Sequence, residues 1–214
     1  SAGMAFAEWN KTKINLIDTP GMANFFSDAR SSLRIADTAL VVVDAVAGVE
    51  VLTEKVWAAA EEMNLPCVVV LNRLDRERAS LSRSLESLQQ VLGRTVVPIQ
   101  LPIGNEKDFR GIVDLVAMQA VLFSADGKTP STGDVPDDLV EEATAAREAL
   151  IELVAEADDS LMEQFFESGT LTQEQLEAGL KTATAERQVF PLVCTSATAN
   201  LGIQPLLDAI VTYV

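Results

Sequence analysis

Four apolar runs in this chain stop at polar residues whose types suit phosphate and purine chemistry. Residues 13–17 run into Asp18-Thr19-Pro20-Gly21, residues 39–43 into Asp44, residues 67–71 into Asn72-Arg73-Leu74-Asp75, and residues 190–194 lead to Ser196-Ala197-Thr198. An aspartate at a strand end can hold a Mg²⁺-bound water. Thr19-Pro20 stiffens the turn that follows, and Gly21, lacking a Cβ, lets its N–H approach a phosphate oxygen closely.

Asn72 and Asp75 are weak signals alone, but their place at a strand end gives them meaning. A carboxylate at Asp75 accepts both N1–H and N2–H₂ of guanine, a pair of donors that adenine does not present. Asn72 would brace the loop and reach N7, Arg73 would lay its guanidinium and stem along the base face, and Ser196-Ala197 would supply a backbone N–H to O6, rejecting an amino group at that spot.

The elements that must position these residues are legible from periodicity. The short β-branched runs at 13–17, 39–43, 67–71, 96–100 and 190–194 read as strands. Between them the spacing lengthens to that of helices: Leu81, Leu85, Leu88 and Leu92 step by helical intervals to Gly93, and residues 51–63 and 23–36 behave alike. The alternation predicts an α/β fold, a mostly parallel sheet with helices on both faces. Ligands of such sheets sit beyond the carboxyl ends of the strands, where the polar clusters lie.

After Gly104 the rhythm breaks. Two strand-like runs, 111–115 and 119–123, precede a turn-rich stretch at 126–133, a helical block through Leu139, Ala143, Ala146, Leu150 and Leu153, and a capping box of Thr172 with Gln175 that opens a further helix. Residues 104–187 are expected to form an inserted α+β subdomain, and residues 1–103 with 188–214 the core.

Charge is concentrated in that insertion. The chain of 214 residues carries net charge −16, and residues 134–186 hold fifteen acids against two bases, Arg147 and Lys181. Such a face repels phosphate backbones, so no direct nucleic-acid binding is expected, whereas a basic protein would be steered to it. There is no histidine, which excludes histidine bases, triads and imidazole metal sites. Cys67 and Cys194 sit in apolar runs and read as core thiols of a reducing cytoplasm. No membrane span or secretory signal is expected, and the opening Ser suggests an excised piece of a longer protein.

The order Asp-Thr-Pro-Gly, Asn-Arg-Leu-Asp, Ser-Ala-Thr resembles the guanine-nucleotide domain of translational GTPases, and more narrowly elongation factor G and its paralogues. The narrower likeness rests on residues 14–21, 43–50 with 53–57, 101–104 with 109–114, and 202–208, which reach nearly the whole chain. The resemblance implies a P-loop GTPase-like fold and a parent that couples GTP to movement on the ribosome, with Mg²⁺ as cofactor. It implies nucleotide contacts from Asp18, Thr19, Pro20, Gly21, Asn72, Arg73, Asp75, Ser196, Ala197 and Thr198, metal contact from Asp18, and a ribosomal stalk protein docked on the acidic insertion.

Three departures bound these expectations. No Gly-x-x-x-x-Gly-Lys-Ser/Thr loop is present: at Gly127-Lys128-Thr129, Leu122 replaces the first Gly and Pro130 follows. Met22 stands where the family has a histidine that places water, and Arg73 where lysine is usual. The chain alone is therefore expected to lack the phosphate-binding loop and first switch, to bind no nucleotide tightly and to have no catalytic residue of its own. Competing readings are an acidic interaction module for the stalk protein, a ribosomal-protection or termination-factor relative, and an unrelated enzyme with a pocket built from Asp18 and Asp44.

Overall fold

The computed structural model describes residues 2–124, 127 and 129–214. Lys128, the centre of the Gly127-Lys128-Thr129 string, lies outside the described residues, as does Asp126 at the head of the turn-rich stretch.

The chain opens with a hairpin, β1 (Gly3–Trp9) and β2 (Thr12–Asp18), paired antiparallel from Gly3 opposite Asp18 to Trp9 opposite Thr12. Asn10 and Lys11 close it with positive φ of 46° and 64°, the left-handed pair that a two-residue turn needs to match strand twist. A helical turn leads into α1 (Phe26–Leu33), shorter than the 23–36 span expected.

Four of the five runs expected as strands form the parallel sheet, β3 (Ala39–Asp44), β4 (Cys67–Asn72), β5 (Val96–Pro98) and β10 (Phe190–Cys194), in the order β3-β4-β10-β5, whereas the run at 13–17 lies in the separate antiparallel hairpin. The crossovers include α2 (Val51–Glu62) and α3 (Leu81–Leu92). Parallel strands covered on both faces read as unbroken apolar runs, and Val68, Val69, Leu71, Leu192 and Val193 are all fully buried.

Strand alternation divides the core in two. Val69, Leu71 and Leu192 face one side with Trp57 of α2 and Leu88 of α3, where the Trp57 and Phe190 rings meet edge to face at 4.7 Å. Val68, Val70 and Val193 face the other side and share a core with α4 (Val140–Glu156), α6 (Gln173–Ala185) and α7 (Ile203–Tyr213), through Leu150, Val154, Leu176, Leu180 and Tyr213.

Residues 96–100, expected as one strand, divide at Ile99. Pro98 has no N–H to extend a ladder, and after it the chain turns into β6 (Gln100–Ile103). With β7 (Gly111–Asp114), β8 (Gln119–Leu122) and β9 (Ser131–Gly133), β6 builds an antiparallel sheet in chain order. Gln100 bridges the fork: its buried side-chain Oε1 accepts the Cys194 N–H at 3.0 Å, where a ladder carbonyl would otherwise sit.

Between α4 and α6 lies α5 (Asp159–Ser168), opened by Asp158, whose Oδ1 accepts the Leu161 N–H at 2.9 Å, and closed by left-handed Gly169. The Thr172–Gln175 capping box is formed in both directions. Both cysteines are free and buried, and burial pushes each thiol up to about 12.

Candidate functional site

β3 and β4 end side by side, Asp44 registered with Asn72, and β10 ends on the other flank of β4. Three loops therefore start from one rim of the sheet, and Asn72 ties two of them together. Its Oδ1 accepts the Arg73 N–H at 2.8 Å, the Ala197 N–H at 2.9 Å and the Thr195 hydroxyl at 3.3 Å. Two backbone donors on one atom fix that atom as oxygen, so the Asn72 amide NH₂ is the end left facing out.

Asp75 is held from the same flank. The fully buried Ser196 donates its hydroxyl to Asp75 Oδ1 at 2.6 Å, and Leu74 N–H donates to Thr195 O at 3.2 Å. One carboxylate oxygen is thereby anchored while the half-buried residue borders a recess of about 470 Å³ with Arg76, Glu77 and Lys107. Ser196 is itself fixed by a reciprocal backbone pair with Leu201. Gly202 (φ 78°) makes the next turn possible, because a Cβ there would lie 2.3 Å from Cys194 O.

An amide NH₂ beside an anchored carboxylate is the complement of guanine, which offers acceptors at N7 and O6 and donors at N1 and N2. The structure thus brings together Asn72, Arg73, Asp75, Ser196 and Ala197. Thr198 is exposed in the turn that follows. Asp18 is exposed at the end of β2, with Thr19 and Pro20 half-buried and Gly21 exposed. Among the described residues no hydrogen bond or ion pair joins Asp18–Gly21 to the Asn72 cluster, and no group of three or more carboxylates and thiols is arranged to hold a metal ion.

Two side chains act differently from the sequence expectation. The Ala197 N–H, expected on a base oxygen, is donated to Asn72. Arg73, expected over the base face, donates its Nη1 to Asp44 Oδ2 at 2.8 Å, its backbone left-handed at φ 66°. Asp44 Oδ1 accepts Val46 N–H at 2.8 Å and Ala47 N–H at 3.3 Å, so both carboxylate oxygens are engaged. Burial alone would raise the Asp44 carboxyl; the Val46 N–H, the Arg73 guanidinium and the Ala47 N–H together hold it below the usual carboxylate range.

Thr195 was not singled out from sequence, although a threonine directly before Ser196 at a buried strand end was the available signal. Glu106 was also missed: its Oε1 accepts the Arg78 N–H at 2.7 Å, and Lys107 lies 3.5 Å from Glu77, so the loop after β6 abuts the loop that carries Asp75. Nothing in their spacing announces that contact.

Comparison with known proteins finds relatives over almost the whole chain. The chain is 41% identical over 206 residues to elongation factor G of Thermotoga neapolitana and 40% identical to that of Thermotoga maritima, alignments that cover 96% of this chain and 30% of each relative. A crystal structure of a Thermus thermophilus protein superposes with a TM-score of 0.91 at 30% identity, over 100% of this chain and 32% of that one. The chain thus spans about a third of the length of the proteins it matches. The family model for the elongation factor Tu GTP-binding domain matches residues 1–214, and the chain belongs to that family.

Proposed function

We propose that this chain is the base-reading part of a guanine-nucleotide domain in an elongation-factor-G-like translation factor, a cytoplasmic protein that couples GTP binding and hydrolysis to movement on the ribosome. The observation that carries this reading is the pairing of an outward Asn72 amide with an Asp75 carboxylate anchored by Ser196, both fixed by contacts from the β10 loop. The 40% identity to elongation factor G over 96% of the chain supports the translational setting.

The residues fit the nucleotide unequally. Asn72 and Asp75 suit the base, and Asp18 with Gly21 would lie toward the phosphates and a Mg²⁺ ion, whose role when bound is to offset phosphate charge. The sequence has no Gly-x-x-x-x-Gly-Lys-Ser/Thr string to cradle those phosphates, so that part of the site is assigned to another segment of the protein. Met22, 61% exposed, has a thioether that cannot accept a proton from water as an imidazole does; any hydrolysis would depend on other groups.

The test is competition on the full-length protein by calorimetry. GDP should bind at least about a hundredfold more tightly than ADP, since a mismatched donor–acceptor set leaves buried partners unpaired. Equal affinities would refute the reading.

A second role is favoured by charge. Residues 104–187 are proposed as the inserted subdomain, and Glu141, Glu142, Glu148, Glu152, Glu163 and Glu167 are exposed on α4 and α5. This surface is proposed to dock a basic face of the ribosomal stalk protein by steered association.

A further inference from the structure

The Arg73–Asp44 pair has a meaning beyond the base contacts themselves. Arg73 sits two positions before Asp75 in one loop, with 57% of its side chain exposed and five N–H donors in a planar fork suited to carboxylates. Glu77 of that loop is paired with Lys107, leaving Asp75, which must keep acceptors open for guanine, and Asp44 on the adjacent strand end as carboxylates for Arg73. In the structure the guanidinium is on Asp44, at 2.8 Å, and Asp75 has no ion pair among the described residues.

We propose that Asp44 is a positioning residue for base selectivity: by holding the Arg73 guanidinium on the β3 side, it keeps that cation off Asp75 and leaves the aliphatic stem of Arg73 to border the purine. This rests on the guanine reading above. Two features make Asp44 suited to the task. Its Oδ1 is fixed by the Val46 and Ala47 N–H groups, so Oδ2 presents from a set position. Its strand-end register with Asn72, reinforced by Ala45 N–H donating to Asn72 O at 2.9 Å, sets it beside the start of the Arg73 loop. A free arginine near a carboxylate pairs with it, and a guanidinium on Asp75 would occupy the oxygen that N2–H₂ of guanine needs.

The test uses Asp44→Asn, which keeps one oxygen for the Val46 and Ala47 N–H groups and replaces the partner of Arg73 with an amide NH₂. Inosine diphosphate, which lacks the N2 amine, is the discriminating probe. In the full-length protein, D44N should lower GDP affinity about fivefold, the scale of a partly exposed ion pair, and change IDP affinity less, so the GDP-to-IDP preference contracts. Arg73→Met, which keeps an apolar stem and removes the charge, should abolish the effect, D44N then adding nothing. A nucleotide-free crystal structure of D44N should show the guanidinium within ion-pair distance of Asp75.

An unchanged GDP-to-IDP ratio in D44N, an equal loss in the R73M background, or a guanidinium left beside residue 44 overturns the inference while GDP selectivity over ADP in the wild type stands. A wild type without that selectivity overturns the guanine reading and the inference together. Should D44N fail to fold, Asp44→Ser, which retains an acceptor for the Val46 N–H, takes its place in the same comparisons.

Discussion

Ser196 donates its hydroxyl to Asp75 at 2.6 Å across 121 positions of sequence, so the residue that would read the base is aimed by a side chain from the loop that follows β10. Removing that donor separates aim from charge. Ser196→Ala should leave the fold intact, cost about 1.5 kcal/mol as a lost hydrogen bond to a charged group, and weaken GDP binding about tenfold. Urea unfolding and calorimetry on the same preparations check both halves.

Asp75→Asn should change which base is accepted. The amide keeps one acceptor and gains a donor, which opposes the N2 amine of guanine and matches a carbonyl at the same position. GDP affinity should fall about a hundredfold and xanthosine diphosphate should become the preferred ligand. Direct competition between the two nucleotides measures the reversal; retained preference for GDP would show that Asp75 does not face the base.

Gln100→Leu addresses the fork between the sheets. It strands the Cys194 N–H in a buried place, and such a donor costs about 1–3 kcal/mol. The urea midpoint should drop accordingly with an unchanged slope, since the surface exposed on unfolding is the same.

The two cysteines contribute to the loss of stability at alkaline pH. Burial pushes both thiols up to about 12 in the folded chain, against roughly 8.5 when unfolded. The native state therefore holds more protons than the unfolded state above the unfolded value, and stability falls as pH rises from there toward the folded value. Below about pH 8 the contribution is complete and flat. Chemical unfolding at pH 8 and pH 10 should show a lower midpoint at pH 10, and a thiol reagent at pH 8 should label neither cysteine until urea is added.

Reversing Glu141, Glu142 and Glu148 to lysine should weaken association with the ribosomal stalk protein and flatten its dependence on salt, because steering by the acidic surface is lost. Binding assays across a salt series would reveal it, and unaltered binding would remove that surface from consideration.

Much of this architecture was legible because its causes are local. The run at 67–71 is continuous and β-branched because its strand is covered on both faces, and the Thr172–Gln175 box announces a helix start through two short-range hydrogen bonds. The clusters at Asn72 and Ser196 could be named as partners from their strand-end positions. What they do to one another could not: that Ala197 donates to Asn72, and Arg73 to Asp44, depends on distances between loops far apart in sequence. The hairpin strand β1 was missed because Gly3–Trp9 alternates only weakly, with Met4 and Phe6 exposed, and α5 because its apolar stripe is short.

The hairpin that carries Asp18 is secured at its tip, where Trp9 Nε1 and Asn10 Nδ2 both donate to Asp208 Oδ1 of α7, at 2.7 and 3.0 Å. Asp18 lies at the opposite end of β2, about 20 Å away at the rise of an extended strand. One carboxylate therefore accepts both side-chain hydrogen bonds from the hairpin tip. Asp208 thus joins α7 directly to the hairpin whose second strand ends in Asp18.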